Sequence, residues 1–363
     1  MMAETTEYIP IKNLYYLLCY AWGLADQRER VKVDASTCKS YPDLFAKLLV
    51  QGCSLLFKRG LQREYVENQR TVIGIKGKVN VSQSVKTPLY RLGKMDCSFD
   101  EYSDNILLNQ IVCASLRRLI GYKQLSAALR KECLRTYNRF PQVTEIELTA
   151  DSFCQVVINR ENRFYFLLIH ICQLIFEALL PDDKQQGMYH FVSFSQEQMD
   201  SIFENFLFNF YRKECKAEYP TVERSGLRYK LEAINGSSNS VLPWMKTDVT
   251  LINSKAGKKI ILDAKYYMET LKAHYSENAF AKVRNGHINQ IMAYIFSQQD
   301  IAIPYTMEAN GILVYPKVQG DLDYTGHYKG TNHYFRFCTV DLSQDWQAID
   351  KRLREIIIFD DHN

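Results

Sequence analysis

The sequence predicts an α+β, mixed α/β protein in two domains: helices with a small β-barrel or hairpin over residues 1–157, then an α/β core over residues 158–363. Length is the first observation, because 363 residues exceed the size at which one hydrophobic core usually stops growing. The second is the C-terminal order of periods: helix, paired strands, helix, strand, strand, helix. The third is a hairpin over residues 245–267 that sets two aspartates and a lysine on one face.

The elements follow in order. Ile9-Pro10 reads as a turn and the run to Trp22 as an amphipathic helix; Tyr41 to Leu61 is a second helix, with Leu44, Leu48, Leu49, Cys53 and Leu56 on one stripe. Tyr65 to Ser82 changes to strand character, and Gly74 and Gly77 suit a twisted hairpin or small barrel. Gly74-Ile75-Lys76-Gly77-Lys78 is too short for a phosphate-binding G-x-x-x-x-G-K-[ST] loop, and no such loop occurs elsewhere. A helix from Ile106 to Ile120 follows, with Ser103 or Asp104 as its expected N-cap, and then another from Leu125 to Tyr137. Arg117, Arg118, Arg130, Lys131 and Arg135 read as a solvated face. Glu145 to Leu148 reads as a short strand, Glu161 to Leu180 as a buried helix, and residues 184–190 as a loop. Gln196 to Cys215 is a helix with Met199, Phe203, Phe206 and Phe210 as its core stripe. After the hairpin come a helix from Glu277 to Ser297, strands at 311–316 and 333–342, and a closing helix from Asp345 to Phe359.

Composition narrows the class. An apolar fraction of 47% and a charged fraction of 24% are ordinary for a globular protein. The net charge of +4 permits a nucleic-acid partner without arguing for one. The ten cysteines are scattered, with neither C-x-x-C pairs nor zinc spacing, which suits a reducing cytoplasm. The opening residues carry no signal pattern, and no apolar run reaches membrane-spanning length; the expected location is cytoplasmic, with no membrane partner.

The hairpin carries the chemistry. With the turn centred between Lys255 and Ala256, Asn253 faces Lys258 and Asp248 faces Asp263. Opposed residues share a face with Cβ atoms about 5 Å apart, and Lys265, two residues on from Asp263, joins them. Two carboxylates at that distance repel by roughly 3 kcal/mol at an effective dielectric of about 20. A divalent cation offsets this, and Mg²⁺ is commonly held by one or two carboxylates with water and phosphate oxygens. Lys265 then stands where it can orient or deprotonate a water, or stabilise charge on a phosphate.

Asp248, Asp263 and Lys265 together resemble the active site of the PD-(D/E)xK nuclease superfamily. Glu204 is similar to the helix glutamate that often precedes that hairpin. Gln290 and Tyr294, at i and i+4 on one helix face, match the Q-x-x-x-Y element of RecB-like members. Over nearly its whole length the chain resembles the McrC family, the nuclease subunits of McrBC-type modification-dependent restriction systems. That resemblance rests on residues 9–22, Gly74-Ile75-Lys76-Gly77, Ser103-Asp104-Asn105 with Asn109, Thr247-Asp248, Asp263-Ala264-Lys265-Tyr266-Tyr267, Gln290 with Tyr294, and Tyr315-Pro316. It implies an Mg²⁺-dependent endonuclease that cuts double-stranded DNA at a PD-(D/E)xK core, with Asp248 and Asp263 as metal ligands. It also implies a partner, a hexameric McrB-like AAA+ GTPase that reads modified cytosine and is stimulated by the N-terminal domain. The alternatives are a subunit with a vestigial site that only activates a ring GTPase, and a nuclease whose motor reads a different DNA feature.

Overall fold

The computed structural model describes residues 9–22, 38–86, 91–141, 143–181, 188–191, 194–234, 237–266, 283–317 and 320–359. It divides into two compact units: residues 37–193, and residues 194–363 together with 1–36. The expected boundary at 157/158 therefore falls inside the first unit. The reason lies in two helices. The first helix, α1 (Ile11–Ala21), buries Leu14, Leu17, Leu18 and Tyr20 in the second unit. There Tyr20 stacks on Trp346 and meets Phe206 and Phe210, and the Asn13 side chain donates to the Leu342 and Gln344 carbonyls. The apolar helix expected to open the second domain stays instead with the helices of the first.

Unit 37–193 begins with α2 (Tyr41–Arg59), capped by Ser40 with Pro42 in its first turn, and the predicted stripe is buried. Strands β1 (Glu64–Ile73), β2 (Lys78–Val79) and β3 (Lys94–Ser103) form an open antiparallel sheet in the order β1-β3-β2, with short α3 (Val81–Lys86) between the last two. Neither a closed barrel nor a local hairpin forms here, because β1 pairs with the distant β3 over its whole length. Gly77 sits at φ 69° with a built Cβ only 2.5 Å from the Ser98 carbonyl oxygen, so glycine is required twice over.

Helix α4 (Leu107–Gly121) has Ile106 at its N-cap and no side-chain cap. The expected caps are engaged otherwise: Asp104 pairs with Arg63, and Ser103 accepts from the Asn105 amide. Helices α5 (Ala127–Tyr137) and α6 (Ala150–Cys154) follow. Residues 145–148 form no strand; Glu145 pairs with Arg117 instead. Helix α7 (Tyr165–Ala178) packs on α2 and α4 and runs into β4 (Leu179–Pro181), which pairs with β5 (Tyr189–Phe191). Arg118 is not solvated. It is buried, donates to the Phe176 and Leu179 carbonyls at the end of α7, and lies over the Phe176 ring. Of the expected 184–190 loop, residues 184–187 lie outside the described residues.

In the second unit, α8 (Gln196–Glu214) starts at a Ser195–Gln198 capping box and buries its aromatic stripe. Then come β6 (Thr221–Glu223), β7 (Gly226–Leu227), β8 (Met245–Lys246), β9 (Val249–Asn253) and β10 (Lys258–Ala264). Helix α9 (Asn285–Ser297) begins later than expected, and residues 277–282 of the predicted helix lie outside the described residues. Strands β11 (Asn310–Pro316), β12 (Asp323–His327) and β13 (Tyr334–Val340) and helix α10 (Trp346–Glu355) complete the unit. A six-stranded mixed sheet forms in the order β12-β13-β11-β10-β9-β6. Ile261, Leu313, Tyr315 and Phe335 on this sheet pack against Ile291, Tyr294 and Ile295 of α9. No helix among the described residues is long and apolar enough to cross a membrane.

Candidate active site

The predicted register is the observed one. Asn253 pairs with Lys258 and Val249 with Leu262, so the next step outward sets Asp248 opposite Asp263. These residues fold so because Val249, Leu251 and Ile260 to Leu262 are fully buried in the middle of the sheet. A slip of one residue would turn Asp263 and Lys265 to the face away from Asp248. Asp248 sits in the bend before β9, and its Oδ2 accepts from the Ala264 amide at 2.8 Å. Asp263 lies near the carboxyl end of β10, where β11 runs parallel beside it. Open α/β sheets usually place their ligands beyond such ends.

Asp263 is fully buried. Its Oδ2 lies 2.8 Å from Lys265 Nζ, yet neither of its oxygens accepts a hydrogen bond of good geometry among the described residues. Burial, with the adjacent Asp248 charge, pushes Asp263 up to about 7. Burial likewise raises Asp248, against the pull of the Ala264 amide and Lys265. For Lys265, burial works against the charge, but Asp263 outweighs it and holds the ammonium above its ordinary value.

Helix α8 brings Glu204 into the same field. Burial and then Asp248 push Glu204 up to about 7, while Arg224 and Lys265 pull it back. From α9, Gln290 donates to Tyr294 Oη at 2.7 Å, and Tyr294 donates to the Lys246 carbonyl at 3.0 Å. Tyr294 is buried and pushed up to about 12, by burial first; Gln290 opposes this, and both aspartates add to it. The structure thus gathers all six sequence-predicted residues: Asp248, Asp263, Lys265, Glu204, Gln290 and Tyr294. Tyr267 lies outside the described residues.

Two neighbours escaped the sequence reading. Asp200, one turn before Glu204, accepts from the Tyr266 amide at 3.1 Å and from Gln196. Gln196 in turn donates to the Tyr266 carbonyl, so the first turn of α8 grips the residue after Lys265 from both backbone sides. Arg224 donates to Asn205 and bears on both Glu204 and Asp248. The i, i+4 spacing of Asp200 and Glu204 was the available signal for the first; nothing in the sequence distinguishes Arg224.

The donor set fits a hard cation. A buried carboxylate with unsatisfied oxygens beside a second carboxylate offers oxygen ligands at the cost of few competing bonds. Among the described residues no three His, Cys, Asp or Glu side chains converge as a preformed cluster. Two carboxylates with the remaining positions filled by water or phosphate is how Mg²⁺ is commonly held.

A family model described as "McrBC 5-methylcytosine restriction system component" matches residues 4–316. The chain belongs to the McrBC family. A curated relative in Escherichia coli (strain K12), "Type IV methyl-directed restriction enzyme EcoKMcrBC", is 29% identical over 357 residues, covering 98% of either protein. The fold of this McrBC-family chain is also similar to a solved structure, the refined half-complex from a tetradecameric assembly of Thermococcus gammatolerans McrB AAA+ hexamers with bound McrC. That match has a TM-score of 0.54 at 19% identity and covers 98% of this chain and 77% of that one.

Proposed function

We propose that this McrBC-family chain is the DNA-cleaving subunit of a GTP-driven restriction complex directed at modified cytosine, with a PD-(D/E)xK-type site that hydrolyses a phosphodiester. The observation that carries the reading is Asp263: fully buried, without a hydrogen bond of good geometry at either oxygen among the described residues, facing Asp248 and ion-paired to Lys265. Asp248 and Asp263 would hold Mg²⁺, which supplies charge neutralisation at the scissile phosphate and lowers the pKa of a bound water. Lys265, tethered by Asp263, orients the attacking water or offsets charge that develops on the phosphate oxygens. As the water oxygen bonds to phosphorus and the leaving P–O bond breaks, Glu204, pushed up to about 7, stands poised to take or return a proton. Tyr294 and Gln290 fix the backbone just ahead of Asp248 through the Lys246 carbonyl. The names of the relatives support a partner of the McrB AAA+ type and a methyl-directed substrate. The partner would supply motor and base recognition, and the N-terminal part of this chain would stimulate its GTPase.

The test is a paired assay with the cognate GTPase. It follows GTP turnover and Mg²⁺-dependent cutting of methylated and unmethylated plasmid, for wild type and Lys265→Ala. Cutting by wild type alone, with GTP stimulation by both, is the expected result. Stimulation without cutting by either protein across modified substrates would overturn the nuclease reading in favour of an activator with a vestigial site.

A further inference from the structure

An arm rises directly from this site. Strands β7 and β8 pair Gly226 with Lys246 and Leu227 with Met245. The ribbon they form is rooted at both ends in the site: Arg224 precedes it, and Thr247-Asp248 follow it. The Thr247 hydroxyl accepts from the Ser225 amide at 2.8 Å, the Thr247 amide donates to the Ser225 carbonyl, and Tyr294 holds the Lys246 carbonyl. Leu227 and Met245 anchor the ribbon against the sheet core.

Beyond the ribbon, two limbs (228–234 and 237–244) present side chains that the fold leaves uncovered. Val241 is 81% exposed, Ile234 70%, Trp244 65% and Leu231 58%. Lys230 donates to the Gln299 carbonyl just past α9 and Asn239 to the Leu231 carbonyl, so the stretch is held in place while its apolar tips stay exposed, and apolar exposure concentrated in one stretch marks an interaction site rather than scattered surface. Its chemistry is specific. The Arg228 guanidinium lies 4.0 Å above the centre of the Trp244 ring and makes no hydrogen bond or ion pair among the described residues. Stacking on the indole fixes the plane of the guanidinium and leaves its N–H fork free, which suits bidentate capture of an anionic oxygen pair. From 228 to 246 the chain carries Arg228, Lys230 and Lys246 against Glu232 alone.

We propose that this arm grips duplex DNA beside the cleavage site, with Arg228 on a backbone phosphate and the Trp244 face and neighbouring apolar tips against the groove wall. The inference rests on the nuclease reading only for the identity of the substrate. An unengaged cation pre-stacked on an aromatic face favours a phosphate-bearing partner over a protein surface, and the root at Asp248 puts that partner where phosphate must lie. Contacts of this kind position a duplex without reading its sequence.

The experiment is fluorescence anisotropy of a labelled 30-base-pair duplex, titrated with the full chain in Ca²⁺ at several salt concentrations, for wild type, Arg228→Ala, Arg228→Lys and Trp244→Ala. Both side chains are exposed, and thermal melts establish that the variants fold. Arg228→Ala is expected to weaken binding about threefold to tenfold and to lower the log–log salt slope by about one, equally for methylated and unmethylated duplex. Trp244→Ala is expected to weaken binding by a similar factor, and Arg228→Lys to restore the slope without the full affinity. In the paired assay the same variants should raise KM for plasmid and leave kcat unchanged. Unaltered duplex affinity in the folded variants would overturn the proposal, as would a wild type that binds no duplex. So would variants that bind duplex normally but lose self-association or the GTPase, which would make the arm a protein contact. A nuclease failure is separable: it would show as duplex binding that depends on the arm with no cutting by any form.

Discussion

Two buried polar clusters, one in each unit, show how differently a fold can treat a polar group. In unit 37–193, Asn109 is fully buried on α4. Its amide donates to the Gln62 and Asp104 carbonyls, its oxygen accepts from Tyr165 Oη at 2.6 Å, and that hydroxyl accepts from the Gln62 amide. Every group there has a partner. In the other unit Asp263 is as deeply buried, and among the described residues no hydrogen bond of good geometry reaches its oxygens, only the Lys265 ion pair at Oδ2. The first cluster ties a strand entry, a helix and a second helix together. The second is left open at a cost in stability, as the proposed cation site requires. Satisfaction rather than burial separates the structural polar group from the one proposed to be functional.

The largest effect should come from Asp263. Asp263→Ala is expected to lower cleavage by at least about a thousandfold, roughly 4 kcal/mol in barrier, while its melting temperature stays equal to or above that of wild type. A cleaving Asp263→Ala chain, measured by plasmid nicking with the GTPase present, would erase the contrast. Asn109→Ala should do the opposite. It strands the Tyr165 hydroxyl and two carbonyls, so a loss of about 2–3 kcal/mol is expected in urea unfolding. A neutral Asn109→Ala would mean that the network is not structural.

Asp200 sharpens the comparison, since it is polar, partly buried and satisfied, yet sits at the site. Its substitution by alanine frees the Tyr266 amide and should slow cleavage about tenfold to a hundredfold with the Mg²⁺ dependence unchanged. Asp200→Asn keeps the acceptor and should stay near wild type. A large shift in the Mg²⁺ requirement would instead make Asp200 a ligand.

The last effect is linkage, which is read in stability rather than in cleavage. Asp263 titrates near 7 in the folded chain against an ordinary 3.8, so the folded state binds more protons than the unfolded one between those values. Stability of the metal-free protein should therefore fall as pH rises from about 4 to about 7, by an amount on the order of a few kcal/mol. Asp263→Asn should flatten that slope in thermal melts recorded across the window.

The sequence carried the site further than it carried the fold. The hairpin register followed from one turn and an apolar run, because a period of two leaves no freedom once one face is buried. The i, i+4 pair Gln290 and Tyr294 was equally local. What escaped depended on distant partners. Strand β3 pairs across twenty intervening residues with β1, and β12 carries only exposed or half-exposed residues, so neither has a local apolar signature. The domain boundary failed for the same reason, since nothing within residues 9–22 announces that Tyr20 will stack on Trp346. Arg118 was misread because its partners are carbonyls at a helix end, invisible to charge patterning.

The account stands most directly on whether Asp248 and Asp263 take a divalent cation. Thermal melts of the metal-free chain at pH 7.5, titrated with Mg²⁺, Mn²⁺ and Ca²⁺, test it without the partner or DNA. Wild type should gain melting temperature saturably, as a ligand that binds only the folded state must produce. Asp263→Asn, folded and of equal or higher starting stability, should gain none. An equal gain in both would place the cation elsewhere and contradict the assignment of the site.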